Sequence, residues 1–369
     1  MKTIMILANA TGGLYVFRKK LIEVLIRNDF RVIVLSAFTS RMDLVRDLGV
    51  TLIETPFESR GTSLLQDYAL YRTYIHYIRE YRPDYLITYT IKPNIYGGMA
   101  AQKCHVRYSA NITGLGTAFQ GDGIVKRIVS LLYKKALRKA ENVFFENIGN
   151  RDELVDKRIV KAEKCVLLNG AGVDLEDFTL LDYPEDNRMI RFVFIGRIMN
   201  EKGIDELFEA TRRLVMEGHR IQLDLVGDYD EQYQDMVKSY QEEGWLNYVG
   251  YVTDVKPCIE KAHCAVLPSW HEGMSNTNLE CAASGRPLIT SDIPGCREAV
   301  IEGKTGYLCK PKDVDSLYNA MIKMIGLTPE ERETMGKEGR KHMEAVFDKR
   351  KVVEETIRHI LQPNGEKNG

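Results

Sequence analysis

The chain has 369 residues, of which 44% are hydrophobic and 28% are charged, and one hydrophobic core rarely holds a chain of this length. Its 51 basic and 52 acidic side chains leave a formal net charge of -1, which argues against a protein that binds nucleic acid through its whole surface. We therefore expect two globular domains.

The seven cysteines are scattered along the chain, and several lie in apolar, strand-like surroundings. This usage predicts reduced, mostly buried thiols in a cytoplasmic protein. Cys258, His263 and Cys264 lack the second ligand pair that a zinc site needs, so no metal is expected. The N-terminal apolar run is too short for a signal peptide, and no run approaches the roughly 18 residues that span a bilayer. We expect a chain that is neither secreted nor transmembrane.

A continuous apolar run over residues 4–8 is typical of a strand buried in a parallel sheet. Gly12, Gly13 and a helical pattern follow it, so the chain opens as a strand, a glycine turn and a helix. Adjacent glycines let a backbone approach a ligand at the carboxyl edge of a sheet, although a simple tight turn is the alternative. The Gly-x-Gly-x-x-Gly fingerprint is absent, which disfavours an NAD enzyme.

Further strands are predicted at residues 31–36 and 85–89, with helical patterns between them. This alternation predicts an α/β fold with a parallel sheet. Two loops that follow strands carry polar candidates for a binding site: Lys92, Asn111, Thr113 and Gly114. We expect the second loop to face a ligand-binding cleft from the first domain, and a glycine-rich surface turn is the alternative interpretation.

Residues 124–139 form a predicted amphipathic helix. Its basic side chains fall on one arc, and Val125, Val129, Leu132 and Ala136 fall on the other side, which is expected to pack on the sheet. A basic face of this kind also draws a protein to an anionic membrane, at about 1 kcal/mol per Lys or Arg near the surface. Docking on a membrane surface is therefore a second interpretation of this helix.

We place the first domain at residues 1–170 and an acidic, loop-like linker at 171–188. A second domain is expected at 189–345, followed by a C-terminal helix at 346–362 that crosses back to the first domain. The tail at 363–369 is predicted to be disordered.

The second domain repeats the plan of the first. A strand at residues 190–195 is followed by Arg197, by Lys202 and by a new helix. The two cations are close enough across the turn to clamp a diphosphate, with the arginine as a fork and the lysine as a point charge. The turn around Val252 is positioned to meet a nucleotide base through backbone groups.

The strongest chemical signal follows a predicted buried strand at residues 262–268. Glu272 lies in the next loop, Ser275 at a tight turn and Glu280 on the first turns of a helix. The N-terminus of this helix offers unpaired N–H groups and about half a positive charge to an anion such as phosphate. Because the two acids can address different ends of one ligand, the pattern suggests a nucleotide sugar.

Glu272-x7-Glu280, with Pro-Ser at 268–269 and Gly-Arg-Pro at 285–287, resembles the motif of the retaining GT-B glycosyltransferases of family 4, or group 1. The likeness extends over nearly the whole chain. The Thr-Gly-Leu-Gly run that starts at Thr113 matches the branch of capsule enzymes and polyprenyl-diphosphate-sugar glycosyltransferases. The resemblance implies the GT-B fold, an α/β fold with two Rossmann-like doubly wound domains facing across a cleft.

The resemblance also implies roles. Arg197 and Lys202 bind the donor diphosphate, Glu280 the ribose hydroxyls, and Glu272 the hydroxyls of the transferred sugar. The candidate catalytic residues are Glu272, Arg197 and Lys202. The full donor-binding set is Gly12, Gly13, Arg197, Lys202, Val252, Glu272, Gly273, Met274, Ser275, Asn276, Thr277 and Glu280, and the acceptor-binding set is Lys92, Asn111, Thr113 and Gly114. Ser275 stands where the family often has a proline, and Cys296 stands where it often has a glycine. These two differences leave the identity of the transferred sugar undetermined.

The implied function is retaining transfer of a sugar, an N-acetylhexosamine or a related hexose, from a UDP-sugar to a polyprenyl-diphosphate-linked saccharide in capsule, O-antigen or glycan assembly. No metal and no cofactor besides the UDP-sugar co-substrate are expected, because two cations and a helix dipole can stabilise the leaving diphosphate. The expected partners are the UDP-sugar, the lipid-linked acceptor and the cytoplasmic face of the inner membrane, not nucleic acid. A nucleotide-sugar epimerase of GT-B fold and an inactive transferase-like scaffold are the alternatives.

Overall fold

The computed structural model describes residues 1–56, 64–116, 119, 123–185 and 188–361. These residues form two compact units. The first comprises Met1–Ala171 and the C-terminal stretch from Arg350, and the second comprises Gly172–Lys349.

The first unit is built on a parallel sheet. Its strands are β1 (Thr3–Ala10), β2 (Arg31–Ala37), β3 (Thr51–Glu54), β4 (Tyr85–Tyr89), β5 (Arg107–Ile112), β6 (Asn142–Phe145) and β7 (Cys165–Leu167). Their order is β3-β2-β1-β4-β5-β6-β7. The helices are α1 (Thr11–Arg27), α2 (Met42–Asp47), α3 (Leu64–Tyr81), α4 (Gly98–Cys104), α5 (Ile124–Leu137) and α6 (Ile148–Asp156), with a π-helical turn at Pro93–Gly97 and a 3-10 turn at Ala162–Lys164.

The second unit repeats this plan. Its strands are β8 (Ile190–Ile195), β9 (Ile221–Val226), β10 (Leu246–Gly250), β11 (Cys264–Leu267), β12 (Leu288–Ser291) and β13 (Gly306–Cys309), in the parallel order β10-β9-β8-β11-β12-β13. The helices are α7 (Ile204–Met216), α8 (Gln234–Glu242), α9 (Lys256–Lys261), α10 (Asn276–Ala283), α11 (Val314–Gly326) and α12 (Pro329–His342). Shorter turns of helix lie at Asn200–Lys202, Glu231–Tyr233, Arg297–Ala299 and Met343–Phe347.

The apolar runs of the sequence become strands that are covered on both faces. In the first unit, α3, α4 and α5 cover one face of the sheet and α1 covers the other. The predicted α/β fold with two doubly wound parallel sheets is confirmed. In such sheets ligands bind at the carboxyl ends of the strands, where the strand order reverses. This reversal lies between β1 and β4 in the first unit and between β8 and β11 in the second.

The acidic stretch that the sequence indicates as a linker is held along the second unit by two arginines. Arg286 is fully buried and donates to the carbonyl oxygens of Leu181 and Asp182 at 3.4 and 2.7 Å. Arg340 donates to the carbonyl of Phe178 at 2.6 Å. Each guanidinium supplies hydrogen bonds to backbone oxygens that lie outside helices and strands. This stretch is therefore fixed on the second unit as part of its fold.

The last described helix, α13 (Lys349–Leu361), packs in the first unit. Val353 and Ile360 join the core that contains β1 and α1, and the side chain of Asn142 donates to the carbonyl of His359 at 3.0 Å. The predicted disordered tail at 363–369 lies outside the described residues.

Helix α5 corrects one expectation. Tyr133, Ala136 and Leu137 are its buried residues, whereas Val125, which we expected on the packed side, is 55% exposed. The first turn of α5 therefore projects apolar side chains into solvent, whereas Val129 and Leu132 are partly buried against the core of the first unit, as expected.

Candidate active site

The carboxyl edge of the second sheet carries most of the candidate donor-binding residues. Arg197 follows β8, and the loop 272–276, called the donor loop here, follows β11 and leads into α10. Since β8 and β11 are the strands where the order reverses, the fold brings these two segments to the expected ligand position.

Lys202 and Glu272 form an ion pair at this edge. The Lys202 ammonium lies 2.5 Å from Oε1 of Glu272, and the Ser269 hydroxyl donates to the same oxygen at 2.9 Å. Only 27% of the lysine side chain and 14% of the glutamate side chain are exposed. The sequence predicted both residues as ligands of the donor, but it gave no sign that they bind each other.

Gly203 explains how Lys202 comes so close to the end of β11. Its φ is +71°, and a Cβ atom there would lie 2.1 Å from the carbonyl oxygen of Pro268. Only glycine adopts this conformation in contact with a neighbouring backbone at low cost. The Lys-Gly sequence thus fixes the start of α7 against β11.

Arg197 is exposed and makes no hydrogen bond or ion pair with the described residues. It is therefore available to an anion without first breaking an internal bond. Val252 lies further along the same unit, where it lines a cavity of about 750 Å³ together with Asp224 and Arg191.

Helix α10 begins at the turn that the sequence predicted. Ser275 is its N-cap, and its hydroxyl accepts the backbone N–H of Asn278 at 3.2 Å. The Thr277 hydroxyl donates to the carbonyl of Ile195 at 3.2 Å, which ties α10 to the end of β8. Met274 is buried. The remaining N–H groups of the first turn are of the kind that can bind an anion.

Glu280 lies one turn into α10 and is largely buried. Burial raises the pKa of its carboxyl to about 7, Lys349 and Lys256 oppose this rise, and Asp177 adds to it. The side chain predicted to bind ribose hydroxyls therefore changes its charge near neutral pH.

A second loop, residues 293–298, supports the donor loop and was not predicted. The Ser275 N–H donates to the carbonyl of Gly295 at 2.7 Å, and the Gly295 N–H donates to Oε2 of Glu298 at 2.8 Å. The sequence offered one weak signal for it, the glycine in Ile-Pro-Gly-Cys, which has a φ of +89°.

The first unit holds the other candidates, at the carboxyl edge of its own sheet. Gly12 and Gly13 lie in the first turn of α1, which starts at Thr11, so they are helical residues and not a separate turn. A Cβ at Gly12 would lie 2.6 Å from Oγ of Ser40, whereas a Cβ at Gly13 would meet no atom within 4 Å.

The candidate acceptor residues are tied into the fold of the first unit. Lys92 pairs with Asp67 at 3.1 Å. Asn111 belongs to β5 and not to the following loop, and its amide donates to the carbonyl of Thr88 at 3.2 Å. Thr113 and Gly114 directly follow the strand. Among the described residues, no group of three or more His, Cys, Asp or Glu is placed to hold a metal ion.

The chain is similar to several known glycosyltransferases. Residues 190–326 match the family model described as glycosyl transferases group 1. The chain is 25% identical to the N,N'-diacetylbacillosaminyl-diphospho-undecaprenol alpha-1,3-N-acetylgalactosaminyltransferase of Campylobacter jejuni, over 84% of this chain and 86% of that protein. It is 23% identical to the capsular polysaccharide biosynthesis glycosyltransferase CapM of Staphylococcus aureus, over 62% of this chain and 63% of that protein.

Solved structures show the same fold. The sucrose-phosphate synthase of Thermosynechococcus elongatus aligns with a TM-score of 0.82 at 20% identity, covering 97% of this chain and 98% of that chain. Anabaena Alr3699/HepE, solved in complex with UDP and glucose, aligns with a TM-score of 0.79 at 17% identity, covering 97% of this chain and 99% of that chain. The resemblance noted in the sequence and the fold class are confirmed by these matches.

Proposed function

We propose that this chain, a glycosyltransferase of the GT-B type, transfers a sugar with retention of configuration from a UDP-sugar to a polyprenyl-diphosphate-linked saccharide. The transferred sugar is an N-acetylhexosamine or a related hexose, and the product belongs to capsule, O-antigen or glycan assembly.

The observation that carries the donor half of this proposal is the cluster of Lys202, Glu272 and the N-terminus of α10 at one sheet edge. The ammonium and the helix N–H groups suit a diphosphate, and the carboxylate suits sugar hydroxyls. The Anabaena protein whose complexes contain UDP shares this fold, which supports a UDP-linked donor.

Each residue of the cluster has a proposed role. Arg197 and Lys202 bind the diphosphate, and Lys202 exchanges its bond with Glu272 for one with phosphate. Glu272 then binds hydroxyls of the transferred sugar, and Glu280 binds those of the ribose. The donor loop contributes backbone contacts from Gly273 to Asn276.

The chemistry follows from charge. As the bond from the anomeric carbon to the phosphate oxygen breaks, negative charge grows on the diphosphate, and Arg197, Lys202 and the helix dipole stabilise it. We propose attack by the acceptor oxygen on the same face that the diphosphate leaves, with a phosphate oxygen taking the proton of the acceptor hydroxyl. This route needs no metal and no covalent enzyme adduct. Trapping a glycosyl-enzyme adduct by mass spectrometry would contradict it.

The acceptor half rests on the Campylobacter relative, whose name specifies a diphospho-undecaprenol-linked acceptor. We propose that Lys92, Thr113 and Gly114 of the first unit bind such an acceptor, and that the fourth candidate, Asn111, supports them. Because the Asn111 amide is bonded inside the sheet, its contribution is to hold the loop that carries Thr113 and Gly114.

A lipid-linked acceptor implies a membrane surface, and α5 is suited to dock on an anionic one. It contains no acidic residue, and its exposed apolar side chains are Ile124, Val125, Ile128 and Leu131, at 75%, 55%, 51% and 68% exposure. A neighbouring groove of about 660 Å³ is lined by Lys126, Arg127, Lys134 and Lys157. No described helix is long and apolar enough to cross a membrane.

Vesicle binding tests this docking. We expect Leu131→Glu to weaken sedimentation with phosphatidylglycerol vesicles about tenfold, because it places a charge where an apolar side chain meets lipid. Leu44→Glu on α2, where the leucine is 44% exposed, is the matched control and should bind as wild type does. Equal binding of wild type and Leu131→Glu contradicts membrane docking, and a monomer-dimer shift caused by Leu131→Glu assigns the surface to a second copy of the chain.

The reaction itself is tested with a panel of UDP-sugars, with and without a polyprenyl-diphosphate saccharide. Release of UDP together with a single-sugar gain in the mass of the lipid product supports the transferase and names the donor. Conversion of the donor without any acceptor indicates the epimerase. Absence of nucleotide-sugar binding and turnover indicates the scaffold.

A further inference from the structure

Two consecutive hydrogen bonds hold the donor loop in place, and the second of them ends at the carboxylate of Glu298. Glu298 Oε2 accepts the N–H of Gly295 at 2.8 Å, and the Gly295 carbonyl accepts the N–H of Ser275 at 2.7 Å. Ser275 is the N-cap of α10. A displacement of Glu298 is therefore transmitted through Gly295 to the residue that sets the start of the donor-binding helix.

The two loops touch through their backbones where Glu272 is placed. Gly295 has a φ of +89°, and a Cβ at this position would lie 2.6 Å from the carbonyl oxygen of Gly273 and 2.8 Å from that of Glu272. The two backbones are in close contact here, so the position of Gly295 limits the position of the Glu272 backbone.

The second oxygen of the Glu298 carboxylate is removed from water without a replacement for the lost hydrogen bonds. Oε1 is buried and has no hydrogen-bond partner among the described residues. A buried hydrogen-bond acceptor without a partner makes folding less favourable, and such a group is often found where function requires it. The carbonyl of Glu298 is itself fixed, since a ring nitrogen of His342 lies 2.9 Å from it.

We infer that Glu298 is a positioning residue for donor binding. It does not contact the donor; it fixes Gly295, and Gly295 fixes the turn at Ser275 and the backbone of Glu272. That the ligand is a UDP-sugar donor rests on the proposed function. The hydrogen bonds that run from Glu298 through Gly295 to Ser275, which we call the brace, exist in the ligand-free protein.

Titration calorimetry with UDP tests the effect on the ligand. Glu298→Ala should weaken UDP binding about tenfold, because the turn that presents the N–H groups is no longer fixed. Glu298→Gln keeps an oxygen for the Gly295 N–H and should stay within about threefold of wild type. Glu302→Ala is the matched control: Glu302 Oε2 accepts the N–H of Leu308 at 2.6 Å, away from the donor loop. It should bind UDP as wild type does.

Hydrogen exchange in the ligand-free protein tests the brace without any nucleotide. The Ser275 amide should exchange about tenfold faster in Glu298→Ala than in wild type, and at the wild-type rate in Glu302→Ala. If the protein binds no UDP, the proposed function fails, and this exchange still decides the brace. Unchanged exchange at Ser275, or equal losses of UDP affinity in Glu298→Ala and Glu302→Ala, would overturn the inference.

Discussion

The two sheets share one plan, but their carboxyl edges differ in what the polar side chains do. In the second unit Lys202 and Glu272 come from segments far apart in sequence and meet at the edge where the strand order reverses. In the first unit Asn111 bonds to the backbone of β4, and Lys92 pairs with Asp67 of α3. The second edge thus carries an ion pair whose partners can exchange each other for a ligand. At the first edge, these polar side chains are engaged in bonds that stabilise the fold.

Under the proposed function, this difference separates two kinds of binding site. A diphosphate is met by cations and helix N–H groups, which hold it mainly by electrostatics. We propose that an acceptor saccharide binds to the hydroxyl and backbone groups of the loop with Thr113 and Gly114, which needs little charge. The two edges therefore predict different responses to the same type of substitution.

The largest contrast is expected between the two paired lysines. Lys202→Ala should lower kcat/KM by about 10² to 10³, because it removes a cation from the leaving diphosphate. Lys92→Ala should raise only the KM for the acceptor, by about tenfold, because we propose that Lys92 binds the acceptor and not the leaving diphosphate. Initial rates of UDP release with each substrate varied separately measure both.

Lys304→Ala serves as the control for these lysines, since Lys304 makes an exposed pair with Glu338. It should leave both kinetic constants unchanged. Equal losses of kcat in Lys202→Ala and Lys92→Ala would remove the distinction between the two edges.

The glycines of α1 provide the next contrast. Gly13 lies within a helix, and a Cβ atom at this position would have open space around it, so Gly13→Ala should raise the melting temperature by a few degrees. If the donor approaches this backbone as predicted, the same variant should raise the KM for the UDP-sugar about tenfold. Gly12→Ala, which meets the Ser40 side chain, should not stabilise the protein. A stabilised Gly13→Ala with unchanged KM would exclude Gly13 from donor binding.

The smallest expected effect concerns pH. The pKa of Glu280 is raised to about 7 in the folded protein, so the folded state holds a proton that the unfolded chain releases. Stability should therefore fall as pH rises from about 4.5 to 7, and this component should vanish in Glu280→Gln.

Donor binding should show the opposite trend, since an ionised carboxylate accepts ribose hydroxyls more strongly than a neutral carboxyl. We expect UDP affinity to rise up to about tenfold between pH 6 and 8. Calorimetry at several pH values measures this, and a flat profile in wild type would remove Glu280 from the ribose site.

The sequence predicted the elements that carry strong local patterns. The continuous apolar runs identified several of the buried strands, including β1, β2, β4, β8 and β11, and the Glu272-x7-Glu280 spacing identified the loop and helix α10, because both signals lie within short windows. The roles of these residues in binding stay predictions.

Other features depend on contacts between distant segments and left no local signal. Glu298 looks like any loop acid, and its bond to Gly295 becomes visible only in the fold. Asn111 was predicted in a loop because strand ends are set by pairing, here with Tyr89 of β4, and not by composition. Val125 was expected to be packed, yet it lies in the first turn of α5, which is exposed, whereas Val129 packs against the core.

A crystal structure of the protein with UDP would decide whether the second sheet edge is the donor site. We predict the diphosphate within hydrogen-bond distance of Lys202 and the N-terminus of α10, with the Lys202–Glu272 bond replaced by a Lys202–phosphate bond. A nucleotide bound elsewhere, for example in the cavity lined by Arg191 and Asp224, with Lys202 and Glu272 still paired, would contradict this assignment.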